Sequence, residues 1–508
     1  MSLLDNELHA RAMGRQLERD HFTDDEFREF DERVAQQLAA LALMLGRDGF
    51  GDGPATLGAE LELNLVDARG RPLGANLEVL ARARDARCTT EIDRFNLEVN
   101  CSPVPAAGAP FSAIGAEMGA LLARLGEAAA PLGARVVPIG ILPTLTPADL
   151  TRDALTDLPR YRALAHGLKR WREAPFRLRM DGADPLDLTA DDVTFEGANT
   201  SMQLHLRVPA SAYARTYNAA QLVTPVALAL GGNSPTFCGH RLWDETRVAL
   251  FKQSLDHRDA EAVRRRLPAR VAYGYGWVRQ GAWELFAEAA SLYPSILPWL
   301  EAEREDAPGV ARAGGVPALR ELRLHHGTVW RWNRAIYDAG DGGHLRIEFR
   351  ALPAGPTTAD MMASAAFLAG LTMAFRDRVD ALLPTMPFVY CEANFYRAAQ
   401  DGIESTLLWP EPSAPSPRLV PARELAARLL PLAAEGLAQL GVDDAEVARC
   451  QDVIEGRLAT RTTGARWQRR VLARHAGGTP TPEALARLLE AYLAECRTGR
   501  PVHEWRDG

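Results

Sequence analysis

Four short segments of this chain alternate strictly between apolar and polar residues, and their polar sides carry groups that are costly to place together. In GAELELNLVD, Leu61, Leu63 and Leu65 point one way and Glu60, Glu62 and Asn64 the other, as the two-residue repeat of a strand dictates. In EIDRFNLEVN, Phe95, Leu97 and Val99 oppose Asn96, Glu98 and Asn100. In TSMQLHLRV, Met202, Leu204, Leu206 and Val208 oppose Gln203, His205 and Arg207. In HLRIEFRAL, Leu345, Ile347, Phe349 and Ala351 oppose Arg346, Glu348 and Arg350. Any one of these passes for the solvated face of an antiparallel sheet. Together they do not. An ordinary wet face is rich in Thr, Lys, Ser and Glu, whereas this one collects carboxylates, an imidazole, amides and arginines.

Side chains two apart on a strand stand about 7 Å from each other on one face. Glu60 and Glu62 therefore repel each other unless cations sit between them. A face bearing Glu60, Glu62, Glu98 and Glu348, with Glu91 nearby, is a hard-oxygen surface suited to Mg²⁺ or Mn²⁺. Arginines beside such carboxylates point to a phosphate as the shared ligand. Metals and arginines converging on a triphosphate are what phosphoryl transfer requires. Composition sharpens this. The chain has 58 Lys+Arg against 66 Asp+Glu, a net charge of −8, which argues against a nucleic-acid partner held by bulk positive charge. Lys169 and Lys252 are its only lysines, and neither lies in a P-loop sequence. Any ATP must be handled by arginines and metal-bound carboxylates.

The rest of the chain, with 47% hydrophobic and 24% charged residues, has the balance of a globular protein. A helix is predicted over Asp24–Leu45. Thr23 and Glu26 form its capping box, Phe27, Phe30, Val34, Leu38, Leu41 and Leu45 recur at helical spacing, and Gly46 stops it. A second helix fits Phe111–Ala130, ending before Pro131. The Gly49–Pro54 stretch is glycine-rich without a dinucleotide fingerprint. Glu305–Pro317 and Pro410–Pro417 read as loops. After Pro421 the chain is dominated by Ala, Leu, Arg and Glu. The expected division is an N-terminal helical segment (1–50), a mixed strand–helix body (51–410) and a helical C-terminal extension (421–508). The opening residues MSLLDNELHARAMGRQ lack the apolar core of a secretory leader. The longest apolar stretch, Met361–Phe375, is interrupted by Ser364 and Thr372 and is shorter than the roughly 18–20 residues of a membrane span. Six scattered cysteines form no C-x-x-C pair and read as reduced thiols. The expectation is a cytoplasmic protein without membrane or nucleic-acid partners.

The sequence resembles the glutamate–cysteine ligase family, in particular its bacterial and plant-like branch of carboxylate–amine ligases. The matching stretches are GAELELN (58–64), EIDRFNLEVN (91–100), SMQLHLRV (201–208), GGNSPTFCGHRLWDETRVALFKQSLD (231–256), HLRIEFRALPAGPT (344–357) and NFYRAAQDGIE (394–404). The resemblance implies an α+β fold with a curved, mostly antiparallel sheet funnel of the glutamine synthetase type, flanked by helices. It makes 51–410 the catalytic domain. It implies metal ligands at Glu60, Glu62, Glu91, Glu98, Gln203 and Glu348, with Gln203 at a position where many relatives have histidine. His205 and Arg346 would then lie beside the nucleotide. Glu348 and Arg350 would be catalytic, Arg350 stabilising the transferring phosphoryl group. Arg247 would hold the carboxylate of the acid substrate, and Gln253 would line the amine pocket.

The implied reaction uses ATP as co-substrate and Mg²⁺ or Mn²⁺ to join a carboxylate, glutamate first, to an amine such as cysteine through an acyl phosphate. A homo-oligomer is left open. Two rivals are weaker. A carboxylate-pair hydrolase leaves the arginines around Glu348 without a role. A catalytically idle binding or regulatory relative would have lost metal carboxylates, and all five are present. Among single residues, His325 and His326 read as polar packing at a strand end, and Trp330 and Trp332 as core or rim. Asn333 and Arg334 are weak nucleotide contacts, Lys252 is a surface lysine, and Cys101 is packing rather than a nucleophile.

Overall fold

A computed structural model describes residues 19–172, 175–190, 192–410 and 416–507. The opening residues 1–18 and the middle of the Pro410–Pro417 stretch, residues 411–415, lie outside the described residues. The first element is the predicted helix, α1 (Asp24–Leu45). The Thr23 hydroxyl accepts from the Glu26 backbone N–H, the Glu26 carboxylate accepts from the Thr23 N–H, and Phe30, Val34 and Leu41 are buried.

The centre of the molecule is an eight-stranded sheet. Its strands are β1 (Thr56–Val66), β2 (Cys88–Thr90), β3 (Asn96–Asn100), β4 (Val104–Pro105), β5 (Arg135–Val137), β6 (Met202–Val208), β7 (Asn333–Asp338) and β8 (His344–Phe349). They run in the order β7-β8-β6-β1-β3-β2, every pair antiparallel, with β4 and β5 also on β1, and the sheet curls into a half-barrel. Register fixes the polar face. Glu60 lies opposite both Asn100 and Gln203, Glu62 opposite Glu98, and Glu348 opposite both His205 and Arg334. The other face (Leu57, Leu61, Leu63, Leu204, Leu206, Ile347, Phe349) is fully buried in the core.

Eleven further helices concern the argument: α2 (Pro110–Ala129), α3 (Pro159–Trp171), α4 (Tyr213–Gly231), α5 (Arg247–Ser254), α6 (Arg320–Gly327), α7 (Thr358–Arg376), α8 (Phe388–Asp401), α9 (Ala422–Gln439), α10 (Asp444–Thr460), α11 (Gly464–His475) and α12 (Pro482–Cys496). The α4 helix lies under β7 and β8, where Tyr217 and Tyr213 donate to the carbonyls of Asn333 and Arg346. The apolar run around Met361–Phe375 forms α7, which by length and composition alone would cross a membrane. Its apolar window is 89% buried, so it is a core helix. Within the predicted loop Glu305–Pro317 the chain forms a short helix, Ala307–Arg312, because the Asp306 side chain caps it by accepting from the Gly309 N–H. The six cysteines are free thiols.

The C-terminal helices are tied into the body by buried polar bonds. Arg457 of α10 is buried and donates to Asp360 at 2.8 Å and to Ser364 at 2.9 Å, both on α7, and to the Leu230 carbonyl at 3.1 Å. Asn233 donates to the Tyr492 hydroxyl of α12, and Gln468 of α11 donates to Asn233.

Candidate active site

The polar face gathers its acids into two clusters. Glu60, His205 and Glu348 come from three neighbouring strands, with ligand-type atoms all within 4.8 Å of one another. His205 Nε2 lies 3.0 Å from Glu60 and 3.9 Å from Glu348. Both ring nitrogens are buried, and neither makes a hydrogen bond of acceptable direction. An imidazole edge set between two carboxylates without a directed hydrogen bond is the arrangement a shared cation would complete.

The second cluster is Glu62, Glu91 and Glu98, again within 4.8 Å. Glu62 accepts from the Ser201 N–H at 2.6 Å, the Ser201 hydroxyl at 3.0 Å and Gln203 at 2.9 Å. Glu98 accepts from Asn100 at 2.9 Å. Burial first, and then the neighbouring carboxylates Glu60 and Glu62, push Glu98 up to about 8. Glu91 is raised well above its ordinary value by burial and then by Glu98 and Glu62, and burial raises Glu62 as well. Three carboxylates that resist ionising together form a site that a hard divalent cation would relieve.

Glu348 behaves differently. It is fully buried, which works to raise its pKa, but Arg334 and Arg350, with His205, outweigh burial and hold it below the ordinary carboxylate range. Arg334 grips it with two bonds, 2.7 and 2.9 Å, and Arg350 adds a third at 3.2 Å. Arg350 also donates to the Gln203 carbonyl oxygen at 2.6 Å, and its Nε has no protein partner. Arg350 thus bonds Glu348 of the first cluster and acts on Glu62 of the second.

The family model described as glutamate-cysteine ligase family 2 matches residues 56–491. The chain belongs to that family. Its class is that of ATP-dependent carboxylate–amine ligases. No curated protein matches the chain by sequence. Among solved structures it is similar to the glutamate–cysteine ligase of Francisella tularensis in complex with AMP, at 12% identity over 90% of this chain and 91% of that one, with a TM-score of 0.49. A bifunctional glutathione synthetase from Pasteurella multocida matches at 12% identity over 92% of this chain, with a TM-score of 0.45, and the match spans 55% of that longer chain. The ligase PafA, in complex with the ubiquitin-like protein Pup, matches at 11% identity over 85% of this chain and 71% of that one, with a TM-score of 0.37.

Several residues of this family member lie elsewhere than the sequence predicted. Gln203, expected as a metal ligand, has its carbonyl taken by Arg350, while His205, expected beside the nucleotide, joins the first carboxylate cluster. Arg247, at the start of α5, is buried and bonded to Glu245 at 2.9 Å and to the carbonyls of Arg350 and Ala351. It braces the backbone behind Arg350. Gln253 is bonded to its own helix and to a neighbouring strand. Its oxygen accepts from the Arg179 N–H at 2.7 Å and its amide donates to Ala249, which fastens α5 to the strand Phe176–Met180. Arg346, two residues before Glu348 on β8, donates to Asp338 at 2.8 Å and to His344.

Asn333 faces α4, bonding Gln221 and Thr224, while Arg334, one residue on, reaches the site. His325 and His326 lie on α6 and not at a strand end. Burial lowers both, His326 to about 3, so they are neutral packing residues. Lys252 is not a surface lysine. It donates to the Tyr396 hydroxyl at 2.6 Å, and desolvation lowers its pKa. Cys101 is buried and pushed up to about 12, which suits packing.

Two groups of the ligase escaped sequence reasoning. Glu196 sits beside Glu62 and Arg350, and burial, then Glu62, push it up to about 8. Arg160 of α3 feels the field of Glu91 and Glu98 and donates to the Thr90 carbonyl at 3.0 Å. Neither belongs to an alternating segment, so the two-residue repeat carried no signal for them.

Proposed function

We propose that this protein joins the γ-carboxylate of glutamate to an amine, with cysteine as the leading amine, through an acyl phosphate. A substrate carboxylate oxygen attacks the γ-phosphorus of ATP and ADP departs. The amine nitrogen then attacks the acyl carbon, the C–O bond to phosphate breaks, phosphate leaves, and the nitrogen loses a proton to give the amide. A free carboxylate is a poor acyl donor, so ATP supplies the leaving group.

The observation that carries this reading is the buried His205 edge between Glu60 and Glu348, without a directed hydrogen bond, next to a second three-carboxylate cluster and Arg350. The residues fit divalent cations. Glu60, His205 and Glu348 would hold one, and Glu62, Glu91 and Glu98 another. Bound there, Mg²⁺ or Mn²⁺ supplies charge neutralisation for the triphosphate. Arg350 offers guanidinium charge to the phosphoryl group in transfer, and Arg334 keeps Glu348 ionised.

Purified protein given ATP, glutamate and a panel of amines should release ADP only when a competent amine is present. Amine-independent turnover, or none with any amino acid, counts against the reading. Glu60→Gln and Glu348→Gln should each abolish turnover while the folded state persists by circular dichroism. Full activity in both variants would refute the metal assignment.

A further inference from the structure

We propose that Asp20, His21 and His166 form a separate metal site, on the surface, that takes a borderline transition-metal cation of the Zn²⁺ type and pins the chain ahead of α1 onto α3. Their ligand-type atoms all lie within 4.8 Å of one another. The histidine chemistry is already set. His166 Nδ1 lies 3.1 Å from the Asp20 carbonyl oxygen, and a carbonyl only accepts. Nδ1 therefore carries the proton, and Nε2 presents a lone pair. A backbone carbonyl on the distal ring nitrogen is the support that metal-binding histidines characteristically have.

The carboxylate is oriented as well. Arg162 Nε donates to Asp20 Oδ2 at 3.0 Å, while Asp20 Oδ1 lies 3.8 Å from His21 Nε2. The His21 ring stacks on that of His166, with centroids 4.3 Å apart. Its side chain is 77% exposed, so it is free to swing and close the donors to the separation of about 3.3 Å that a tetrahedral ion with bonds near 2.0–2.1 Å needs.

Part of the scaffold lies outside these donors. Arg162, His166 and Arg170 recur every fourth residue on one face of α3, toward residues 20–27. Arg170 bonds Asp24 at 2.6 Å and its guanidinium lies 4.3 Å from the Phe27 ring centroid. The segment is thus docked by Arg162 on the donor carboxylate itself and by Arg170 on Asp24, beyond the three donors. Two imidazoles with one carboxylate favour Zn²⁺, Co²⁺ or Ni²⁺ over Mg²⁺, unlike the all-carboxylate cluster of Glu62, Glu91 and Glu98. The same helix carries Arg160 and Tyr161, which both donate to the Thr90 carbonyl next to Glu91, so the cation would fasten α1 to the helix that leans on the acid cluster.

The test is Co²⁺ titration of the metal-stripped full chain in excess Mg²⁺, followed by visible absorption. One equivalent of Co²⁺ should give the intense band of four-coordinate cobalt, and Zn²⁺ should displace it. His21→Ala, at an exposed position, and His166→Ala should each weaken binding by about 100-fold or more. The Glu60→Gln/Glu62→Gln/Glu98→Gln variant should bind as the parent does. In melting experiments, Zn²⁺ should raise the Tm of the parent and not that of His21→Ala. Absence of the band, its survival in both histidine variants, or its loss in the triple glutamate variant would overturn the proposal.

Discussion

Glu348 keeps its charge in a fully buried position because two arginines surround it. Removing one partner of such a buried pair leaves charge uncompensated, at a cost of about 3–5 kcal/mol. Arg334→Met should therefore lower both stability and activity. Arg350→Ala should lower kcat by about 10²–10³-fold, the loss typical of a group that stabilises transition-state charge. Arg346→Met, whose parent side chain is paired with Asp338, should stay within about tenfold of the parent in kcat/KM for ATP. Steady-state kinetics of the three variants checks the ranking, and equal losses would remove the distinction among these arginines. Alternation alone made Glu60, Glu62, Glu98, Glu348 and Arg350 legible as one face. It did not say which acid meets which, because β6 lies a hundred residues beyond β3 and only the folded register sets His205 opposite Glu348. The contacts of Gln203, His205, Arg247 and Gln253 were not legible for that reason.

At the level of elements, α7 and α9 cross where Gly370 faces Gly436. A Cβ on Gly436 would collide with the Gly370 carbonyl, and one on Gly370 with the Ala433 carbonyl. The obstacle in each case is helix backbone, which has little room to yield. Gly436→Ala should destabilise by about 1–3 kcal/mol through overpacking. Arg457→Leu, which strands Asp360 in the core, should cost about 3–5 kcal/mol. Denaturant midpoints at unchanged m-value would check both, and a neutral Gly436→Ala would show that the two helices separate freely. Helix α1 was fully legible because its cap and its 3.6-residue repeat agree. Strand β7 was not, although Asn333, Ala335 and Tyr337 alternate inward, because apolar Ile336 interrupts its polar face. The helices after 421 were legible as helices. Their attachment was not, since the buried bonds of Arg457, Gln468 and Tyr492 are long-range and leave no local period.

For the whole molecule, the raised carboxylates make stability depend on protons and cations together. Glu98 and Glu196 both titrate near about 8 in the folded chain, against an ordinary value of 4.5. Between those values the folded state holds protons that the unfolded chain has lost. Stability without metal must then fall as pH rises through that window. A divalent cation at Glu62, Glu91 and Glu98 replaces those protons, and its binding releases them, so its affinity rises with pH over the same range. A ligand that binds only the folded state raises stability by RT ln(1 + [L]/Kd), which grows as its affinity rises. The Tm measured in chelator should thus decline from pH 6 to pH 8, and the increment produced by Mg²⁺ should be larger at pH 8 than at pH 6. Glu98→Gln cannot ionise at this position and should flatten both trends. A Mg²⁺ increment that is equal at the two pH values, or larger at pH 6, would mean that protons and the cation do not compete for these carboxylates. The second cluster would then have to be a proton-sharing structural group and not a metal site.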